Sequence, residues 1–588
     1  MLPRDPLANV LYVDLSKKRS WVERREDLFE KYLGGTGVAV QLLAENCPPG
    51  LDPLAPEAPV VLATGPLDGL FPLGSKTVAM FKSPHTGNLG ESHAGGRSAV
   101  AIRMAGLGAI VITGANAKPG YLSVVDGKAY FRDATTLWGM SSSVTAGRII
   151  RQNESGSGLR TIMRIGRAGE NLVTYADVST ETYRHFGRLG MGAVFGSKKL
   201  KALVVSGNRT LEVADKAAYR GLYDEIMTAA VSSPVMKKYH DLGTAENIQP
   251  LSALGGLPTR NVQTGTFEHA AEISGEHYAE HYLGRRLACA HCPVACIHIA
   301  ALREPYQDEA YYYKTTMISY DYEPIYGLGS MLGLSDPEQL LKLMDEVEVL
   351  GLDAMSAGVC LAWATEAMEK GLITTSETDG LQLAFGQADG YMQGVEKITS
   401  QPNEFWRTLA HGVDAAAARY GGAEFAMAFG GNEMPGYHTG PAGYLGFLLG
   451  ARHSHLDNAG YAIDQKELTK GLIPAEELAG RLMDEERWRQ ILSSLTVCFF
   501  ARGIYTPELT LRALTAAGYS LSPDQLKATA DSIYRAKFAF KFANGFDFDR
   551  LTIPQRVFET PAVVTGFDEE YMRRAIAFAA GELTGPRA

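Results

Sequence analysis

Cysteine is scarce, with six in 588 residues. That is too few to frame so long a chain with disulfides, and it points to a reducing compartment. Long apolar runs are missing as well. No stretch approaches the about 20 residues needed to span a bilayer, and residues 1–15 lack a basic segment followed by an apolar run and a small-residue cleavage site. The expectation is a cytoplasmic protein. Positive charge is in deficit: the formal net charge of −10 leaves no basic field for nucleic acid or an anionic membrane. Also absent are a Gly-x4-Gly-Lys-Ser/Thr loop and any strand–Gly-x-Gly-x-x-Gly–helix unit, so no nucleotide fingerprint of either kind is present.

The few cysteines that exist are pointedly arranged. Cys289, Cys292 and Cys296 form a Cys-x2-Cys-x3-Cys run, with Cys498 far downstream, while Cys47 and Cys360 read as ordinary buried thiols. Three thiolates on one tight turn, closed by a distant fourth, suit an iron–sulfur cluster. Zinc is the alternative, but structural zinc sites prefer two paired Cys or Cys/His motifs, and only His291 and His298 lie nearby. The spacing favours the cluster.

A chain of this length must divide into about three domains or a large two-lobed body. The first part is strand-rich: Val10–Leu15, Val60–Ala63, Ala109–Thr113 and Ala202–Val205 are short apolar runs punctuated by Gly and Pro, and Asp126-Gly127 signals a type I′ hairpin. After about Ser206 helical spacing takes over and is expected to persist to the C-terminus. Ser335-Asp336-Pro337-Glu338 reads as a capping box opening a helix through Leu340, Leu341, Met344 and Val347, which Gly351 stops before Asp353 caps the next. The fold class is α+β, a β-rich domain (1–206) followed by two mainly α-helical domains (207–410 and 411–588).

Two glycine-rich stretches exceed turn punctuation: Ser83-Pro84-His85-Thr86-Gly87 running into Glu91-Ser92-His93-Ala94-Gly95-Gly96, and Gly187-Arg188-Leu189-Gly190-Met191-Gly192 continuing to Lys198. Exposed successive amides without Cβ atoms form anion-binding concavities, so a phosphate-bearing cofactor is indicated. Tight turns at sheet edges are the simpler explanation of either stretch alone.

Together with Tyr32-Leu33-Gly34-Gly35-Thr36-Gly37, Gly166-Arg167-Ala168-Gly169-Glu170-Asn171, Tyr322-Glu323 and Gly351-Leu352-Asp353, these motifs follow one order along nearly the whole chain. In this the sequence resembles the tungsten-containing aldehyde:ferredoxin oxidoreductases. The resemblance implies a tungsten bis-pyranopterin whose phosphates are bridged by Mg2+, a 4Fe-4S cluster beside it, and a β-rich base under two helical domains. Cys289, Cys292, Cys296 and Cys498 then match the cluster ligands. The backbone carbonyls of His93 (usually Asn) and Leu189 match the magnesium contacts, flanked by Ala94, Gly95, Gly96, Arg188 and Gly190. Lys76 stands where relatives carry an arginine bridging cluster and pterin; it keeps the charge but not the planar fork. The two pterin motifs, Asp-x-x-Gly-Leu-Asp/Cys in the family, read Glu348 to Leu352-Asp353 and Ser493 to Val497-Cys498, with Ser493 replacing the second carboxylate.

Aldehyde oxidation needs groups that accept protons near neutral pH. Glu323, next to Tyr322, matches the family's active-site glutamate. His455 is the best match for its histidine, His453 the next, and His438 an outsider. The implied activity is oxidation of an aldehyde to a carboxylic acid, with electrons leaving to ferredoxin or a small iron–sulfur subunit, in a homodimer or larger complex. A benzoyl-CoA-reductase-type subunit and a non-catalytic iron–sulfur scaffold are the rival readings.

Overall fold

The short apolar runs of the first 207 residues fold as two six-stranded sheets. The computed structural model describes residues 1–154, 158–306 and 311–585. The first sheet contains β1 (Asn9–Asp14), β2 (Arg19–Arg24), β3 (Val60–Ala63), β4 (Thr77–Lys82), β5 (Leu89–Ala94) and β6 (Ala109–Thr113), ordered β2-β1-β6-β3-β4-β5. The second contains β7 (Gly120–Val125), β8 (Lys128–Asp133), β9 (Leu159–Arg164), β10 (Val178–Ser179), β11 (His185–Phe186) and β12 (Leu200–Gly207), ordered β11-β10-β9-β12-β7-β8. Asp126 and Gly127 take φ of 49° and 82°, the left-handed pair of a type I′ turn, and set Val125 opposite Lys128. β3 and β4 are buried at every position, which explains why they read as continuous rather than alternating apolar runs. Val60, Leu62, Phe81, Ile110 and Ile112 share one core with Leu122, Val124, Met163, Leu203 and Val205 of the other sheet.

By compactness the chain forms two interleaved units. The first comprises Met1–Met236, Ala288–Val294 and Met483–Asp547; the second comprises Lys237–Leu287, Ala295–Leu482 and Phe548–Ala588. They do not map one to one on the segments 1–206, 207–410 and 411–588, although the first boundary coincides with the end of β12 at Gly207. In the first unit the helix Pro523–Ala543, opened by a Ser522/Gln525 capping box, returns to β5. There Lys537 Nζ lies 2.6 Å from Glu91 Oε2, while Glu91 Oε1 accepts from the Thr36 hydroxyl at 2.8 Å and meets His93 Nε2 at 2.7 Å.

In the second unit, the helix Pro337–Leu350 ends at Gly351 with φ 79°, and Asp353 caps Ala354–Glu369, as the sequence leads one to expect. The cap of the first helix, however, is Asp336 and not Ser335. Asp336 accepts from the amides of Glu338 (2.9 Å) and Gln339 (3.0 Å), because Pro337 favours the first helical position and so fixes the cap one residue before itself. The helical texture expected throughout this region is also interrupted. Leu283–Leu287, Ile297–Pro305 and Tyr313–Tyr320 form a three-stranded antiparallel sheet. Their Ile, Thr and Tyr content fits a pleated surface better than a helix. Glu366 joins distant parts of this unit, with Arg556 Nη2 at 2.5 Å and Asn261 Nδ2 at 2.8 Å, all buried.

Glu170, within Gly166–Asn171, has a structural duty. Its carboxylate pairs with Lys201, which is fully buried on β12, and accepts from the Gly139 amide at 2.7 Å. Burial lowers the pKa of Lys201 and Glu170 opposes that shift. Removing one partner leaves an uncompensated buried charge. Lys201→Met should therefore destabilise the first unit by about 3–5 kcal/mol. Lys201→Met with Glu170→Gln should recover most of that loss, both read from denaturation midpoints.

Candidate active and cofactor site

In the first unit the site is assembled by backbone approaching backbone. Gly35 has φ 38°, and a Cβ there would stand 2.1 Å from the Ser493 carbonyl oxygen, so the Gly34–Gly37 turn can lie against the Ser493–Val497 segment only with glycine. The Thr496 carbonyl accepts from the amides of Ser75 (3.3 Å) and Lys76 (3.2 Å), and Val497 bridges to Gly74. One residue further, Cys498 donates its amide to the Leu73 carbonyl at 3.0 Å, while the Leu73 amide donates to the His291 carbonyl at 3.0 Å. A single residue thus ties the distant cysteine to the loop that carries Cys289 and Cys292.

That loop is held from another side by the Ala290 amide, which donates to the Gly96 carbonyl at 2.8 Å. A Cβ on Gly95 would come within 2.8 Å of Cys289 Sγ and 3.1 Å of Lys76 Nζ, so thiol and ammonium converge over this glycine. Cys296 falls just beyond, in the second unit, where its carbonyl faces His298 Nδ1 at 3.2 Å. Cys47 and Cys360 are buried, as expected of ordinary thiols, and the other four cysteines are partly exposed. Among the described residues no three His, Cys, Asp or Glu side chains already stand together as a metal-holding group. The partly exposed thiols of Cys289, Cys292 and Cys498 in the first unit have the soft-donor chemistry that an iron–sulfur cluster takes.

The second glycine-rich stretch is mostly buried in the same unit and packs closely. Leu189 and Gly190 have φ of 70° and 87°, and Gly190 is so close to the Thr174 carbonyl oxygen that a Cβ would meet it at 1.9 Å. Ser83 organises the region: its hydroxyl donates to the Leu189 carbonyl at 2.8 Å and accepts from the amides of His85 and Thr86 at 3.1 Å each. Arg188 and Ala94 are buried, and His93 turns its ring toward Glu91, with Phe499 at 6.3 Å. Left-handed backbone at Leu189 and Gly190, with Arg188 beside it, is the donor chemistry that a phosphate-bearing cofactor takes.

The titratable pair belongs to the second unit. Glu323 sits in the first turn of the helix Tyr322–Leu328, with its Oε2 accepting from the Gly436 amide at 3.1 Å and its Oε1 3.4 Å from His455 Nε2. Tyr437 lies against the His455 ring at 5.2 Å and stacks on Tyr461 at 4.1 Å. The Tyr322 hydroxyl donates to the Gly436 carbonyl, and burial raises the pKa of both Tyr322 and Tyr437 well above the ordinary phenol value. Tyr322 is thus a neutral donor that fixes the loop whose amide holds Glu323.

The other histidines are differently engaged. His453 Nδ1 faces the Phe447 carbonyl at 2.9 Å, and its ring covers Gly430, where a Cβ would come within 2.3 Å of it. His438 lies between the Tyr444 hydroxyl and the Pro561 carbonyl (3.0 Å), and burial lowers its pKa to about 4. Of the three, His455 meets the carboxylate. Sequence reasoning marks the stretch that begins at Ser83 but misses Leu73 and Tyr437, because one acts through backbone contacts across long stretches of chain and the other through ring packing.

Of the pterin-motif residues, Asp353 accepts from the Met355 amide at 3.1 Å and from the Ser356 hydroxyl at 2.6 Å, Leu352 is buried, and Glu348 is half-buried near the end of its helix. Ser493 and Val497 are buried in the first unit.

Known proteins match the chain over most of its length. Residues 10–207 match the family model for the aldehyde ferredoxin oxidoreductase N-terminal domain, and residues 222–576 match that for domains 2 and 3. A tungsten-containing aldehyde ferredoxin oxidoreductase of Thermococcus kodakarensis is 32% identical over 94% of this chain and 91% of its own length. That of Pyrococcus furiosus is 32% identical over 92% of this chain and 89% of its own. A WOR-like subunit of an aliphatic sulfonate oxidoreductase from Pyrococcus furiosus is 27% identical over 88% and 82%. Among solved structures, the active-site complex BamBC of benzoyl coenzyme A reductase with 1,5-dienoyl-CoA superposes with a TM-score of 0.79 at 22% identity, covering 98% of this chain and 94% of that one. At that identity the likeness is one of fold.

Asp68 lies under the Cys498 segment, fully buried, with Oδ2 accepting from the Gly65 amide at 2.8 Å. Desolvation raises its pKa to about 8, against weaker opposition from Gly65, Thr496 and Arg103. Between about pH 4 and 8 the native state therefore holds a proton that the unfolded chain has released, and stability contributed by this group falls as pH rises, by at most about 1.4 kcal/mol per pH unit. Asp68→Asn keeps an oxygen for the Gly65 amide. It should melt above the parent at about pH 8 and alike at about pH 4, as thermal unfolding at the two pH values will test.

Proposed function

The chain belongs to the aldehyde ferredoxin oxidoreductase family, and from that premise we propose that this oxidoreductase converts an aldehyde to its carboxylic acid in the cytoplasm. Aldehyde and water yield carboxylate, three protons and two electrons. The observation that carries the reading is the contact between Glu323 and His455 at 3.4 Å, backed by the Gly436 amide and the Tyr437 ring.

Glu323 accepts a proton from the attacking water at Oε1, the oxygen not taken by Gly436, and His455 Nε2 stands beside that oxygen to receive the proton and pass it on. The Gly436 amide fixes the carboxylate's orientation, so little reorganisation accompanies the transfer. Tyr322 acts through Gly436 as a positioning residue.

A tungsten bis-pyranopterin, when bound, supplies the two-electron acceptor. The residues to hold it are Gly95, Gly96, Arg188, Gly190 and Lys76 with Ser493 and Val497, and Glu348, Leu352 and Asp353; the carbonyls of His93 and Leu189 are offered to Mg2+. Cys289, Cys292, Cys296 and Cys498 are the ligands for a 4Fe-4S cluster. A ferredoxin or small iron–sulfur subunit takes the electrons onward.

Two experiments test this reading. In enzyme produced anoxically with tungstate, Glu323→Gln should lower aldehyde oxidation by about 10²-fold or more with metal content unchanged. His455→Asn should fall further than His453→Asn or His438→Asn, whose losses should appear in stability. Parental turnover in Glu323→Gln would remove the carboxylate from the mechanism. Separately, Cys498→Ala should leave at most a labile three-iron species by electron paramagnetic resonance and halt electron transfer. A full four-iron spectrum in that variant would exclude Cys498 as a ligand.

A further inference from the structure

One face of the first unit opposes the charge of the chain as a whole. On the helix Ser143–Asn153, capped by Ser142, Arg148 and Arg151 stand three residues apart and therefore side by side. Arg97, which follows Gly95-Gly96, joins Arg151 and Arg160 around a cavity of about 140 Å³. An adjoining cavity of about the same volume is lined by Arg148, Arg151 and Arg164.

Two of these arginines are committed elsewhere. Arg164 is buried and donates to the Ser143 carbonyl at 2.8 Å, and Arg160 donates to the Glu154 carbonyl. Arg97, Arg148 and Arg151 are exposed, and their side chains make no hydrogen bond or ion pair among the described residues. The acid that lines both cavities, Glu181, uses Oε2 to accept from the Thr161 hydroxyl (3.0 Å) and the Ile162 amide (2.8 Å). Like charges at helical spacing repel unless an anion comes between them. In a chain of net charge −10, a cleft of uncompensated guanidinium groups selects for carboxylates.

The cleft adjoins the cysteine loop. Gly96 accepts from the Ala290 amide at 2.8 Å on one side, and on the other a Cβ would lie 2.2 Å from Thr182 Oγ1, next to Thr180 and Glu181 in the cleft wall. Ala288 and His291, flanking Cys289, are exposed.

We propose that this arginine cleft is the docking face for the electron carrier, a small acidic iron–sulfur protein of ferredoxin type whose carboxylates enter between Arg97, Arg148 and Arg151. The inference rests on the function proposed above. Each aldehyde oxidised releases two electrons, and a one-electron carrier must dock, be reduced and leave twice. Exposed charge pairs suit that cycle: they steer encounter strongly, yet water and salt weaken them enough for release.

The test is association of the holoenzyme with an acidic ferredoxin, followed by stopped-flow over a range of salt. Arg148→Glu with Arg151→Glu should slow association about tenfold or more and flatten its salt dependence, and the corresponding Gln pair should fall between. Aldehyde oxidation with benzyl viologen should not fall in either variant, which separates docking from folding and chemistry. Lys216→Glu with Arg220→Glu, an equal change in net charge at exposed positions of the same unit, should stay within about twofold of the parent.

Unchanged association in the Arg148/Arg151 variants, or an equal loss in the Lys216/Arg220 pair, would overturn the proposal. Arginine-dependent ferredoxin binding by a parent enzyme that oxidises no aldehyde with viologen would leave the docking face standing and remove the substrate reading.

Discussion

Leu73 holds the first unit's functional loops in register with two backbone hydrogen bonds, its amide to His291 and its carbonyl to Cys498. No side-chain chemistry is involved, and the chain segments concerned are separated by hundreds of residues. The adjacent contacts follow from this one: Ser75 and Lys76 donate to Thr496, and Val497 bridges to Gly74. Because backbone donors and acceptors cannot be left unpaired when buried, the loops have little freedom to slide without breaking several bonds at once. The glycines are the steric condition for the arrangement, since a Cβ at Gly35 or Gly65 would collide with the same segment.

Three buried carboxylates, two in the first unit and one in the second, are handled alike, each with a cation and a second donor. Glu91 has Lys537 and Thr36, Glu170 has Lys201 and the Gly139 amide, and Glu366 has Arg556 and Asn261. These satisfied networks lie outside the titratable pair of the proposed mechanism. Glu323 and His455 are differently placed: mostly buried, 3.4 Å apart, and held by one amide and one ring. A carboxylate with one oxygen fixed and the other facing an imidazole has a partner for proton exchange, whereas one between a lysine and a hydroxyl has both oxygens engaged. The arginine cleft departs in the opposite direction, since the side chains of Arg97, Arg148 and Arg151 have no ion pair among the described residues and Glu181 is the one acid lining the two cavities there.

The sequence by itself determined the α+β class, the hairpin at Asp126-Gly127, the stop at Gly351 and the cap at Asp353. Each of these depends on one or two residues whose backbone preference is strong and local. It also singled out the cysteines by their short spacing, and Glu323 through the family motif that the chain resembles. Local reasoning misplaced the cap at Ser335, where the constraint of Pro337 outweighed the Ser-x-x-Glu pattern, and it missed the strands between Leu283 and Tyr320, where β-branched and aromatic residues overrode the helical trend around them. Only the tertiary structure decided that His455 rather than His453 or His438 meets Glu323, that Leu73 joins Cys498 to the cysteine loop, and that Arg97, Arg148 and Arg151 share a face. Those are distances between residues far apart in the chain, and they are set by packing and long-range hydrogen bonds that no local preference encodes.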